Sequence, residues 1–113
     1  MLLENLVALQ LFRIYGHDMD NERVFFYLDG YEIDFYIPED ELAIQVAYSL
    51  HDEDTRKRET EALQKLPNRL PCSRRLLLTY DEEKMITDNL GVIEVMPTWK
   101  WILSTNKEKG NRV

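Results

Sequence analysis

The chain has 113 residues, 44% of them hydrophobic and 11% aromatic, which suffices for one domain with a real core. Its formal net charge of -7 weighs against a general nucleic-acid or anionic-membrane surface, since both want clustered Lys and Arg. Cys72 is the single cysteine, so no internal disulfide can form, which fits a reducing cytoplasm, and no apolar run is long enough to span a bilayer.

Residues 2–15 read as a helix that stops at Gly16. Projected at helical spacing, Leu3, Val7, Ala8, Leu11, Phe12, Ile14 and Tyr15 fill one broad arc that also holds Glu4. Leu2, Leu6 and Leu9 occupy the other side, so the helix is nearly apolar all round and is expected to be well buried. Met1 sits directly on this helix with no signal sequence, which suggests a domain cut from a longer chain.

A polar loop, 17–22, leads to a strand over 23–28. Asp29-Gly30 marks a hairpin. The next strand alternates, with Tyr31, Ile33, Phe35 and Ile37 on one face and Glu32, Asp34 and Tyr36 on the other. After a turn at 38–41, a third strand puts Leu42, Ile44, Val46 and Tyr48 on one face. Ala43, Gln45, Ala47 and Ser49 form the other, a bare face against which a helix is expected to pack closely.

Residues 54–66 read as a helix, with Ala62, Leu63 and Leu66 as its main apolar contacts, ended by Pro67. Arg74–Tyr80 contains a continuous apolar run, typical of a strand covered on both faces. Residues 81–84 read as an acidic turn, Gly91–Val95 as a short last strand, and 98–103 as a short amphipathic helix or turn. Residues 104–113 read as a polar, disordered tail, leaving 1–103 as the domain. The order is α-β-β-β-α-β-β-α, an α/β fold with a mixed sheet of about four to five strands flanked by helices.

Asp34 on one strand, with Gln45 and Ala47 on its neighbour, stand where a PD-(D/E)XK nuclease has Asp, Glu and Lys. The element order resembles that restriction-endonuclease-like core. A closer likeness lies in Leu3-Glu-Asn-Leu-Val7, Glu32-Ile-Asp-Phe35, Ile44-Gln-Val46 with Tyr48-Ser49, Thr55, Arg58-Glu59, Ala62-Leu63, Pro97, Trp99 and Leu103. These resemble the uncharacterised nuclease-like domain at the C-terminus of many prokaryotic AAA-type ATPases. The resemblance covers roughly residues 2–103 and implies a larger parent carrying the P-loop, since no P-loop pattern occurs here.

The chemistry is incomplete. Mg²⁺ wants several hard oxygen ligands, usually including carboxylates. Asp34 could be one and Glu4 a second, but Gln45 offers a neutral carbonyl and Ala47 offers nothing in place of Lys. The leading expectation is therefore a vestigial site (Glu4, Asp34, Gln45, Ala47), no resident cofactor, and a non-catalytic accessory domain acting in protein contact or regulation, located in the cytoplasm and not at a membrane. Two alternatives stay open. One is a divergent metal-dependent DNA nuclease in which Glu4 and Asp34 hold Mg²⁺ and Arg56, Lys57 or Arg58 replaces the lysine. The other is nucleic-acid binding without cleavage, through Arg56, Lys57, Arg58, Arg74 and Arg75.

The remaining candidates read as structural. His17 and His51 are lone loop histidines, and Cys72 has no sequence-local base. The runs Asp52-Glu-Asp54 and Asp81-Glu-Glu83 read as solvated loop charges. Trp99 and Trp101, two apart, point different ways on a helix, one toward the core and the other toward a partner.

Overall fold

A computed structural model describes residues 2–16 and 23–111, with side chains described to Lys107. His17 and the rest of the polar loop at 17–22 lie outside the described residues. The elements are α1 (Leu2–Tyr15), β1 (Phe25–Leu28), β2 (Glu32–Ile37), β3 (Leu42–Val46), α2 (Glu53–Lys65), β4 (Arg74–Thr79), β5 (Lys84–Asp88), β6 (Gly91–Pro97) and α3 (Thr98–Asn111). They form an α/β domain around one mixed six-stranded sheet in the order β1-β2-β3-β4-β6-β5. β3, β4 and β6 run parallel at its centre, while β1, β2 and β5 pair antiparallel at its margins.

The crossover from β3 to β4 carries α2 across one face. Asp52 caps this helix: its carboxylate accepts from the Thr55 backbone N–H, satisfying one of the free donors of the first turn. Ala62, Leu63 and Leu66 then pack on Ala43, Ala47, Leu77 and Ile93. The two small β3 residues let the helix sit close, as the bare face suggests. On the opposite face α1 and α3 lie side by side over Ile37, Leu42, Ile44, Val46, Leu76 and Leu78. Leu76, Leu77 and Leu78 are fully buried, because β4 is central and covered on both sides.

Three expectations need correction. First, a strand, β5, lies between the acidic turn and the last strand, where the sequence shows only the turn. Along Lys84–Asp88 only Ile86 packs toward the core, while Met85 and Thr87 face outward, so alternation barely registers. What makes the strand is its antiparallel pairing with β6 across the Asn89-Leu90 turn, in which Leu90 N–H donates to the Asp88 carboxylate and Gly91 takes φ 128°. Second, the segment from 104 onward is helical to Asn111 rather than a disordered tail. Gln10, buried on α1, donates to Thr105 Oγ1 (2.8 Å) and Asn106 Oδ1 (2.7 Å), a partner invisible to local patterning. Third, α1 is not buried all round. Leu3, Val7 and Leu11 face the sheet and Gln10 faces α3, while Leu2, Leu6, Leu9 and Phe12 remain exposed.

Candidate functional site at the fork between the second and third strands

The alternation of β2 breaks at Asp34. Phe25 of β1 pairs with Tyr36 but Tyr27 pairs with Ile33, so one extra residue is accommodated on β2 between those pairs. This β-bulge returns Ile33 to the α2 side with Tyr36, although Phe35 and Ile37 pack under α1 and α3. Regular pairing of β2 with β3 runs through Phe35↔Ile44, Tyr36↔Ala43 and Ile37↔Leu42.

Beyond that point two side chains take over from the backbone. Gln45 Oε1 accepts from Asp34 N–H (2.8 Å), and Gln45 Nε2 donates to Glu32 C=O (2.8 Å). Asp34 Oδ2 in turn accepts from Val46 N–H (2.8 Å). The two motif residues therefore bridge the fork between the strands. Gln45 is 1% exposed, so its amide satisfies both a donor and an acceptor that would otherwise be left unpaired.

A groove of about 470 Å³ opens beside the fork, walled by Asp34 and Glu32 on β2 and by Lys57, Arg58 and Glu59 on α2. Desolvation pushes the Asp34 carboxyl up to about 6. The Val46 N–H opposes this, and the charges of Glu4 and Glu32 add to it. Glu4 at the start of α1 thus acts on Asp34, as its place in the inward arc suggested. Glu59, missed in the sequence reading as a site residue, is shifted further, to about 7, by burial and then by the nearby Asp34. Its signal was present: Glu59, Ala62, Leu63 and Leu66 share one helical stripe, and an acid on an inward stripe is conspicuous.

Ala47 is buried beneath α2 and supplies no charge. Among the described residues no group of three or more His, Cys, Asp or Glu is arranged to hold a metal ion. With Asp34 Oδ2 already engaged by the backbone, the donors present do not fit a Mg²⁺ centre, which demands near-octahedral oxygen ligation.

The proposed nucleic-acid patch does not assemble. Arg75 is 4% exposed and forms a two-pronged pair with Asp88, through Nη1 to Oδ2 (2.6 Å) and Nη2 to Oδ1 (2.9 Å). It is unavailable to phosphate. Arg74 pairs with Glu94 at the amino end of β4. Arg56, Lys57 and Arg58 are exposed, but they lie in the first half of α2, near the opposite edge of the sheet. Cys72 is half-buried, and burial pushes its thiol up, away from a reactive thiolate. His51 is highly exposed beside Glu82. Trp101 is buried under α3 while Trp99 is exposed, the division read from their spacing.

The chain is similar to an uncharacterised protein of Methanocaldococcus jannaschii, 36% identical over 111 residues that take in 91% of this chain. It spans about a quarter of that relative's length, 24%. No protein-family model and no solved structure matches. No helix among the described residues is long and apolar enough to cross a membrane.

Proposed function

We propose that this chain is a non-catalytic, restriction-endonuclease-like accessory domain of an AAA-type ATPase, working through protein contact. The observation that carries this reading is the fork. The residues at the nuclease-like positions, Asp34 and Gln45, are spent on holding β2 to β3, and Ala47 is closed off beneath α2. A hydrolytic site needs those groups aimed at substrate instead. A relative roughly four times as long supports a place within a larger chain. The exposed Leu2, Leu6, Leu9 and Phe12 on α1 support protein contact, because apolar side chains gathered on one surface are typical of interfaces. The acidic balance supports contact with protein rather than nucleic acid.

The test is nuclease assay of the purified chain with Mg²⁺ or Mn²⁺ on linear DNA, beside Asp34→Ala. No cleavage by either protein is expected. Cleavage that Asp34→Ala abolishes would replace this reading with the divergent nuclease, in which Glu4 and Asp34 hold the metal.

A further inference from the structure

The acidic run at 81–83 gains a context from the sheet. Val46 pairs with Leu78 in the parallel β3–β4 register, and the ladder continues past both strands, with Tyr80 N–H donating to Tyr48 C=O (3.1 Å). Tyr48 and Tyr80 are thereby held side by side. Their rings stack with centroids 5.0 Å apart and planes 18° from parallel. Thr79 pairs with Pro97 in the β4–β6 register, so Trp99 follows just beyond the end of the third parallel strand. Each of the three parallel strands thus ends within two residues of an exposed aromatic: Tyr48 is 58%, Tyr80 54% and Trp99 59% exposed.

This row lies along the carboxyl edge of the parallel strands, where open α/β sheets bind their ligands. Val46 and Leu78 pack under α1 and α3, so strand alternation brings the two tyrosines out on that side. The loop leaving β4 at the same edge carries Asp81, Glu82 and Glu83, whereas Asp52 caps α2 and Glu53 and Asp54 open it. Glu82 ties the loops together. Its carboxylate accepts from Ser49 Oγ (3.1 Å) and Leu50 N–H (3.0 Å), and Thr79 Oγ1 takes the Glu82 backbone N–H (2.9 Å). Asp81 and Glu83 remain exposed beside the tyrosines, with Lys100 paired to Glu83. Arg56, Lys57 and Arg58 belong to α2, on the other face of the sheet.

The geometry points to an aromatic shelf that docks an arginine-bearing segment of a partner protein. A guanidinium plane stacks on a tyrosine face and is attracted by its π-electrons, and neighbouring carboxylates add charge complementarity. Single-stranded nucleic acid also stacks on aromatic rows, but it needs a basic groove for its phosphates, and the charge here has the opposite sign. This assignment rests on the reading of the domain as a protein-contact module, and it names the edge and the chemistry of the contact.

The probes are fluorescent peptides of equal length, alternating Arg-Gly, Lys-Gly and Glu-Gly, with an oligothymidine as the nucleic-acid arm. Anisotropy with the intact chain is expected to show binding of Arg-Gly, weaker binding of Lys-Gly, and none of Glu-Gly or the oligonucleotide. The double variant Tyr48→Leu/Tyr80→Leu should weaken Arg-Gly binding by roughly tenfold or more. Tyr48→Phe/Tyr80→Phe, which keeps the ring faces, should bind as the parent does. Glu39→Gln/Glu41→Gln removes two charges at the opposite edge and should leave binding intact. Circular dichroism on every variant separates loss of the shelf from loss of fold. Equal binding of Arg-Gly and Lys-Gly with no effect of the leucine variants would reduce the interaction to bulk charge and overturn the proposal. So would binding of the oligonucleotide alone, or no binding at all. The nuclease assay on the same preparation reads the underlying functional assignment separately, since cleavage could be present or absent whatever the peptides do.

Discussion

Asp34 and Asp88 are both held by hydrogen bonds at the sheet, yet they are displaced in opposite directions. Asp88 meets the guanidinium of Arg75 in a two-pronged pair, and that contact holds its carboxyl below the usual range. Asp34 meets one backbone N–H, and the acids Glu4 and Glu32 near it outweigh the opposing charge of Arg58, so burial wins and its carboxyl rises to about 6. Burial penalises charge at both places, and the partner decides the outcome. The first pair closes the β5–β6 end of the sheet. The second leaves a partly desolvated acid cluster of Asp34, Glu59, Glu32 and Glu4 beside a groove.

The strongest way to break this contrast is Arg75→Ala. It strands Asp88 and is expected to cost about 3–5 kcal/mol in denaturant unfolding, as does removal of one partner from a buried pair. The half-exposed Arg74–Glu94 pair is the control: Arg74→Ala should change stability by no more than about 1 kcal/mol. A cost for Arg75→Ala as small as that would mean the pair is solvated in solution.

Next in size is Gln45→Leu. It keeps side-chain bulk but leaves Asp34 N–H and Glu32 C=O unpaired, at about 2 kcal/mol. Gln45→Glu also destabilises, since it removes the Nε2 donor to Glu32 and adds a charge beside Asp34. An unchanged unfolding midpoint in both would show that the fork does not depend on this bridge.

The smallest expected effect is the most diagnostic. Asp34 and Glu59 keep their protons to a higher pH folded than unfolded, where they titrate near 3.8 and 4.5. Between about pH 4 and pH 7 the folded chain therefore binds more protons, and stability falls as pH rises. Asp88 works the other way, with a contribution lost as pH drops through its lowered folded value. Asp34→Asn/Glu59→Gln should flatten the decline above pH 4 by about 1 kcal/mol, discounted because the groove admits water. Equal slopes in variant and parent would place these acids in ordinary solvent.

Much of the architecture was legible. The Asp29-Gly30 hairpin, the Ala43/Ala47 face under α2 and the continuous Leu76–Leu78 run all carry local signals that survive into the fold. β5 and the second half of α3 carried none, because each is held by a neighbour: β5 by β6, and α3 by Gln10. At the site, the identities of Asp34, Gln45 and Ala47 were plain from the sequence. Their use was not, since a one-residue bulge re-aims Asp34 from the strand face into the fork.

The sequence by itself determined the strand and helix periods, the net charge and the neutral residues at 45 and 47, because these depend on residue type and spacing alone. Only the tertiary structure decided that Arg75 is buried against Asp88 rather than free for phosphate. It also decided that Glu59 joins Asp34, that α1 keeps an apolar face in water, and that Tyr48 and Tyr80 stack at one edge. Each of these depends on register between segments far apart in the chain, and register is set by pairing that no local pattern encodes.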